Sequence, residues 1–293
     1  MKKIAVVTNF NILEKATAAL AVCDKLDELG CEVFVASFNR DRIARNGKGV
    51  NRDYLNYIQI EKLYSVAELI IVLGGDGTIL EASRRAIHLR KAILGINLGR
   101  LGYIAELEIN ELDRIEDVIN EKHFIEERML LSVEILDKEE KQKFFSFVLN
   151  DAVISNGSFA RIVDLSLSEN GEEVSKYRAD GIIVATPTGS TAYSMSAGGA
   201  IVDPRVNCIC VTPVCPHSLA SRPMIFPDNS VIEIKNICER EKMLYVTLDG
   251  KSNQELLYGE KVCITKSNLT ARFVRLNHKG FYKKLRNKMS EST

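Results

Sequence analysis

Over the first hundred positions, apolar runs of four or five residues alternate with segments whose apolar positions recur every three or four residues. That alternation is the rhythm of βαβ units around a parallel sheet. Ile4 to Val7 reads as a buried strand. Leu13, Ala16, Leu20 and Cys23 then fall at helical spacing, and Gly30 follows Leu29 where a helix can stop by turning left-handed. Val33 to Ala36 supplies a second strand, whereas Asn39 to Asp53 is polar, basic and weakly patterned, which predicts a mobile loop. Leu69-Ile70-Ile71-Val72-Leu73 is a third buried strand, followed by Gly74-Gly75-Asp76-Gly77 and a helix from near Thr78 that carries Leu80, Ser83 and Ile87. Ala92 to Ile96 is a fourth strand, ending in Asn97-Leu98-Gly99-Arg100-Leu101-Gly102, and a short helix is expected over Ile109 to Asn120.

From Met129 the period changes to two, with turn signals at Asn156-Gly157, Asn170-Gly171 and Asp249-Gly250, so the second half is mainly β. The charged stretch Glu121 to Arg128 marks the boundary. The expected fold class is α/β: an N-terminal Rossmann-like α/β domain and a C-terminal β-rich, sandwich-like domain. Near the end, Lys279 to Lys288 is basic and sets Phe281, Tyr282, Leu285 and Met289 at helical spacing. This predicts an amphipathic helix docking by its apolar face, not a nucleic-acid arm.

Composition narrows the class. The 293 residues suffice for two domains, and 46% hydrophobic with 27% charged residues is ordinary for a folded, water-soluble protein. With 39 basic and 39 acidic side chains there is no overall field to hold a polyanion, which argues against nucleic acid as the main partner. The N-terminal apolar run is too short for a signal peptide and no later run approaches the ~20 apolar residues of a membrane span, so a cytoplasmic protein without membrane partners is expected. Seven scattered cysteines, most inside apolar runs, suit reduced core thiols. Cys208, Cys210, Cys215 and His217 could be drawn as metal ligands, but the first two alternate within the strand-like run Val206 to Val214 and no Cys-x-x-Cys knuckle is present. Core thiols are the preferred reading, and no protein metal ligand is assigned.

Three segments carry candidate chemistry. Gly74-Gly75-Asp76-Gly77-Thr78 lies between a buried strand and a helix N-terminus, where unpaired N–H groups and the positive end of the helix dipole favour a phosphate. It lacks the Gly-Lys-Ser/Thr ending of a Walker loop. A carboxylate among phosphates is repulsive unless a cation or a proton to be accepted gives it a purpose, so Asp76 is a candidate base or magnesium partner; the bland alternative is a cap on the following helix. Five of the nine residues Thr186 to Ser194 are Ser or Thr, with Pro187 and Gly189 fixing the bend, which suggests a loop offering donors and acceptors to a polyhydroxylated ligand. Asn150-Asp151 is either a strand-end turn or a pair that holds ribose hydroxyls.

Together these segments resemble the NAD kinase family, which phosphorylates the 2′-hydroxyl of the adenosine ribose of NAD with ATP to give NADP and ADP. The glycine motif at 74–78 is shared with diacylglycerol and sphingosine kinases and the phosphofructokinase loop, so alone it indicates only that superfamily. More specific are Gly95-Ile96-Asn97-Leu98-Gly99 with Leu101-Gly102-Tyr103, then Asn150-Asp151, Thr186 to Ser194, and Thr212-Pro213-Val214-Cys215-Pro216-His217-Ser218-Leu219.

The resemblance implies Asp76 as proton acceptor, with Gly74, Gly75, Gly77 and Thr78 around the donor phosphates, and Gly77 also beside NAD. It implies NAD contacts from Asn150, Asp151, Arg178 and Asp180. The stretch Thr191, Ala192, Tyr193, Ser194, Met195 and Ser196 would also line the dinucleotide, with Tyr193 beside adenine. Arg161, Thr188, Cys215 and Lys251 fall at further contact positions. The change of pattern puts domains at residues 1–122 and 123–272, and phosphoryl transfer calls for a divalent cation such as magnesium; the family pattern implies that a segment 273–293 returns to the first domain and suggests a homodimer or homotetramer. Asp151 stands where many members have Glu, Lys251 where some have Gln, and Tyr103 where Phe is frequent. Two rivals differ in class: a lipid kinase with the same phosphate loop, and a nucleotide-binding regulator that would keep the glycines without needing Asp76.

Overall fold

The computed structural model describes residues 2–46, 51–99, 102–157, 162–240, 242–277 and 280–290. They pack as two units, Met1–Glu127 with Ala271–Thr293, and Arg128–Thr270.

In the first unit the strands Ala92–Asn97, Leu69–Leu73, Lys3–Val7, Glu32–Ala36 and Leu55–Ile58 lie side by side in that order, all parallel. Ile4, Val6, Val33, Val35, Ile71, Leu73, Leu94 and Ile96 form one face with Ala16, Ala19, Leu20, Cys23 and Leu26 of the helix Leu13–Glu28. Ala5, Ile70, Val72 and Ile93 on the opposite face are equally buried. Burial on both faces explains why these strands are continuous apolar runs without alternation. The helix Leu13–Glu28 stops as its glycine requires: Gly30 has φ +71°, its N–H donates to Asp27 O at 2.8 Å, and Cys31 N–H reaches Leu26 O at 3.0 Å.

Three expectations change. The stretch after Asn39 is not a mobile loop: a short turn Ser37–Asn39 runs into the helix Arg40–Asn46, and residues 47–50 lie outside the described set. Ile43 alone anchors that helix in the core, while Arg42 Nη1 donates to Asn39 Oδ1 at 3.0 Å and Asn46 Nδ2 to Phe10 O at 2.9 Å. One buried residue in seven gives no periodicity to see. The strand Leu55–Ile58 and helix Ile60–Val66 add a further βα step. The segment after Ile109 is split into a 3₁₀ turn Ile109–Arg114 and a helix Ile115–Ile119, with Glu111 non-helical at φ −112°, ψ 21°.

The C-terminal helix spans Gly280–Ser290, and Lys279 lies outside the described residues. Its inward face is Phe281, Lys284, Leu285 and Lys288, whereas Tyr282 and Met289 are more than half exposed. The two lysines are drawn in because Lys284 donates to Ala105 O and Lys288 sits 4.1 Å over the Tyr103 ring, so the docked face is mixed where an apolar one was expected.

The second unit is a sandwich of antiparallel strands. One layer holds Phe124–Leu136, Gln142–Val148, Val163–Glu169, Glu172–Ala179, Ile232–Asn236 and the first half of Lys261–Arg275. The other runs Met224–Pro227, Cys208–Val214, Gly181–Ala185, Asp151–Ser155, Met243–Leu248, Ser252–Leu257. Leu165, Leu167, Ile232, Ile234 and Val262 meet Ile154, Ile182, Val184, Val211 and Val246 between them. Asn170 and Gly171 take φ +51° and +85° and close a hairpin, as do Asp249 and Gly250 at +46° and +70°. Asn156-Gly157 closes none: the strand before it pairs with Gly181–Ala185 and Met243–Leu248, and a Cβ on Gly157 would lie 2.4 Å from the Tyr245 ring. That glycine makes room for an aromatic side chain.

No helix among the described residues is long and apolar enough to cross a membrane. Ile182 is fully buried between the two layers, so Ile182→Ala is expected to cost about 2–4 kcal/mol, read as a lowered urea midpoint. An unchanged midpoint would mean that this interior is not packed as described.

Candidate active site

The turn after Leu69–Leu73 lies at the carboxyl edge of the parallel sheet, beside the point where strand order reverses about Lys3–Val7. Open α/β sheets bind ligands at such switch points. Gly74 extends the ladder by donating to Ile96 O at 3.0 Å and takes φ +155°. A Cβ there would be 2.7 Å from Thr78 Oγ1 and 2.8 Å from Thr78 Cβ, so the turn needs glycine. Gly75 is the extended N-cap, and its carbonyl accepts Thr78 N–H at 2.9 Å and Ile79 N–H at 3.2 Å. The peptide N–H groups of Asp76 and Gly77 are left without a partner among the described residues, at the positive end of the 12-residue helix Asp76–Ile87. Gly77 is exposed, and a Cβ on it would meet nothing within 4 Å. Protein packing does not require that glycine.

Asp76 is not a helix cap. Its side chain crosses to the loop after Ala92–Asn97, where Tyr103 N–H donates to Oδ2 at 2.8 Å and Ile104 N–H to Oδ1 at 3.1 Å. Gly102 makes the approach possible, since a Cβ at that position would sit 2.1 Å from Asp76 Oδ1. Leu101 and Arg100 lie outside the described residues. The loop is braced from behind. Arg275, itself buried, donates Nη1 to Ile104 O at 2.7 Å and Nε to Glu126 Oε2 at 2.6 Å; Leu276 N–H donates to Glu106 Oε1 at 3.0 Å. Lys284 holds Ala105 O, and Phe281 packs 6.4 Å from the largely buried Tyr103 ring. This grip escaped the sequence reading because its partners are peptide groups almost thirty positions away; Gly102-Tyr103 was the visible signal.

In the second unit, Asn150 and Asp151 open the strand Asp151–Ser155. Asp151 is only 4% exposed, and its carboxyl has no hydrogen-bond partner among the described residues. Burial, and then the charge of Asp249, push that carboxyl up from 3.8 to about 7. The Asn150-Asp151 backbone is fixed from two sides. Asp249 accepts the N–H groups of residues 149, 150 and 151, and Thr186 N–H donates to Asn150 O at 2.9 Å while Thr186 Oγ1 donates to Leu149 O at 2.5 Å.

The hydroxyl-rich loop is put together differently from the expectation. Thr186, Ser190 and Ser194 are completely buried, and Thr188 nearly so. Thr186 Oγ1 accepts Gly189 N–H at 3.1 Å, Ser190 Oγ donates to Pro187 O at 2.7 Å, Ser194 Oγ pairs with Thr212 Oγ1 at 3.0 Å, and Arg128 Nη1 donates to Thr188 Oγ1 at 3.2 Å. Thr186 and Ser190 serve the turn's own backbone, whose peptide groups lack helix or strand partners, while Thr188 and Ser194 bond to side chains outside the loop. Gly189 is pressed against Asn150, where a Cβ would be 2.0 Å from the carbonyl oxygen. Thr191, Ala192 and Met195 stay half-buried; Tyr193 and Ser196 are exposed.

Of the remaining candidates, Arg178 is exposed and its carbonyl accepts His217 N–H at 2.9 Å, while Asp180 donates its N–H to Val214 O at 2.9 Å. Cys215 is exposed with φ +45°, and Lys251 is exposed in the Asp249-Gly250 turn. Arg161 lies outside the described residues. Cys208 and Cys210 share a buried strand face with their sulfurs 3.9 Å apart, whereas Cys215 and His217 are exposed beyond the strand end.

The first unit thus holds a carboxylate on two peptide N–H groups beside a glycine turn, and the sandwich carries a buried carboxyl of its own. Comparison with known proteins gives the kinship. Residues 4–124 match the model for the ATP-NAD kinase N-terminal domain, and residues 149–276 the ATP-NAD kinase C-terminal domain. The chain is 36% identical over 294 residues to an NAD kinase of Caldanaerobacter subterraneus, covering 99% of this chain and 100% of the relative. It is 40% identical over 235 residues to one of Carboxydothermus hydrogenoformans, covering 80% and 83%. The yeast NADH kinase crystal structure, complexed with NADH, superposes with TM-score 0.89 at 25% identity over 99% of this chain and 88% of that one. An Archaeoglobus fulgidus NAD kinase in complex with ATP shares the fold at TM-score 0.70 and 24% identity, covering 99% and 98%. This chain belongs to the NAD kinase family.

The buried Asp151 makes a measurable claim about pH. Its carboxyl holds a proton in the folded chain between 3.8 and about 7 that the unfolded chain has released, so its contribution to stability is present at acid pH and lost as pH rises through 7. Without ligand, Asp151→Asn should therefore unfold at higher denaturant than the parent at pH 8.5, by a margin of about 2–4 kcal/mol that shrinks below pH 7 and closes near pH 4. A margin independent of pH would contradict the assignment.

Proposed function

We propose that this enzyme transfers the terminal phosphoryl group of ATP to the 2′-hydroxyl of the adenosine ribose of NAD, producing NADP and ADP. The observation that carries the catalytic assignment is the position of Asp76: a carboxylate fixed by two peptide N–H groups beside a helix N-terminus whose first amides are unpaired. A secondary alcohol has a pKa far above 7, so a carboxylate cannot deprotonate it in the ground state. Asp76 orients the hydroxyl and accepts its proton late, as bonding to phosphorus develops, because phosphoryl transfer is governed by positioning and charge neutralisation. Gly74, Gly75, Gly77 and Thr78 receive the donor phosphates, and the open space over Gly77 allows close approach.

In the second unit Asn150 and Asp151 take the ribose hydroxyls of NAD, with Arg178, Asp180, Thr188 and the Thr191 to Ser196 stretch along the dinucleotide and the exposed Tyr193 ring beside adenine. Ser194 contributes through its backbone, since its hydroxyl is bonded to Thr212. Cys215 and Lys251 lie at the margin.

A divalent cation, magnesium by preference, fits the donor set: each Asp76 oxygen accepts one N–H bond and keeps a lone pair, so the carboxylate can hold a cation that otherwise rides on the phosphates. Such an ion would neutralise charge on the donor phosphates. The reading includes a cytoplasmic enzyme assembled as a homodimer or homotetramer.

The test is NADP formation by the purified chain from NAD and ATP with magnesium, read with an NADP-specific dehydrogenase. Asp76→Asn should keep the melting temperature and lose about three or more orders of magnitude in kcat. Near-normal turnover would remove Asp76 from the role, and ligand binding without turnover in the parent would favour a non-catalytic regulator.

A further inference from the structure

Asp249 reads from sequence as a hairpin residue before glycine, and its backbone fits: φ is +46° and Gly250 follows at +70°. Its side chain does more than a turn needs. One carboxylate collects three consecutive peptide donors, Leu149 N–H on Oδ2 at 3.1 Å and the N–H groups of Asn150 and Asp151 on Oδ1 at 2.7 and 3.1 Å. Asp249 N–H returns a bond to Asp151 O at 2.9 Å, and the residue is buried. Three successive amides converging on an anion form a nest, here filled by the protein's own side chain across about a hundred residues of sequence. Leu149 and Asn150 are also held by Thr186, and Asn150 lies against Gly189, which admits no Cβ.

We infer that Asp249 is a positioning residue for the acceptor substrate: it sets the direction in which Asn150 and Asp151 are presented and the charge that Asp151 carries. The inference rests on the dinucleotide role proposed above for those two residues. Asp249 reaches no substrate itself. It acts through the backbone it holds and through the field it places beside a partnerless carboxyl.

Among the described residues, no other acid adds to that field. The neighbouring strand Gly181–Ala185 carries no titratable side chain, and Met243–Leu248 carries only Tyr245, paired opposite Ser155 at the far end of Asp151–Ser155. The loop from Thr186 brings hydroxyls and, through Thr188, the Arg128 guanidinium; the hairpin turn brings Asp249 and the exposed Lys251. After burial, Asp249 is the second cause of the raised Asp151 carboxyl.

The experiment uses the full chain and measures kcat and KM for NAD and for ATP from pH 5.5 to 9 in the parent, Asp249→Asn, Asp249→Ala and Asp151→Asn. The parent should show a limb near pH 7 in kcat/KM for NAD that Asp151→Asn abolishes. Asp249→Asn, which keeps one acceptor oxygen, should move the limb to lower pH by half a unit or more and raise KM for NAD several-fold, with KM for ATP within twofold. Asp249→Ala should raise KM for NAD further, and Asp249→Asn should recover part of that loss. An unmoved limb with unchanged KM for NAD, or equal rises in both KM values alongside a lowered melting temperature, overturns the inference while leaving the NAD kinase reading intact. A parent that makes no NADP from NAD and ATP removes that reading and this inference with it.

Discussion

The chemistry proposed for the first unit depends on one short-range arrangement, the grip of two peptide N–H groups on the Asp76 carboxylate. An aspartate at the first position of a helix would otherwise turn back to its own amides or swing in solvent. Three features prevent this. Gly102 vacates the space the carboxylate enters, the Tyr103 and Ile104 amides point at its two oxygens, and the loop that carries them is tied to Arg275 and to the helix Gly280–Ser290. The helix Gly280–Ser290 and Arg275 thus stand behind the acid that the proposed mechanism places at its centre, and the helix amides it leaves unclaimed remain available to an anion.

The second unit handles its carboxylates by a different division of labour. Asp249 is buried with three peptide donors on its carboxylate, whereas the Asp151 carboxyl is buried with no hydrogen-bond partner among the described residues. Desolvation is the first cause of the raised Asp151 carboxyl, and the charge of Asp249 the second. A carboxyl poised near neutrality suits the role proposed for Asp151, accepting or donating bonds to sugar hydroxyls.

The central strands were legible because parallel strands buried on both faces leave unbroken apolar runs, as at Leu69–Leu73. Arg40–Asn46 was not, since one buried isoleucine in a polar helix carries no period. The glycine turn announced Asp76, but its partners are main-chain groups, which every residue owns and no pattern marks. The internal bonds of the Thr186 and Ser190 hydroxyls were not legible for the converse reason: Ser and Thr satisfy their own tight turn as readily as a ligand, and composition does not tell the two uses apart. Asp249 shows both sides. Its turn was visible, and the reach of its side chain back to residue 149 was not.

The most direct test of the central interaction is Gly102→Ala, which adds one methyl group where Asp76 Oδ1 now lies 2.1 Å from the ideal Cβ position. With NAD, ATP and magnesium saturating, kcat should fall at least a hundredfold while both substrates still bind to the folded chain, because the carboxylate is displaced and nothing else is removed. Parent-like turnover in a folded Gly102→Ala protein would show that the grip of Tyr103 and Ile104 on Asp76 is not what the reaction depends on.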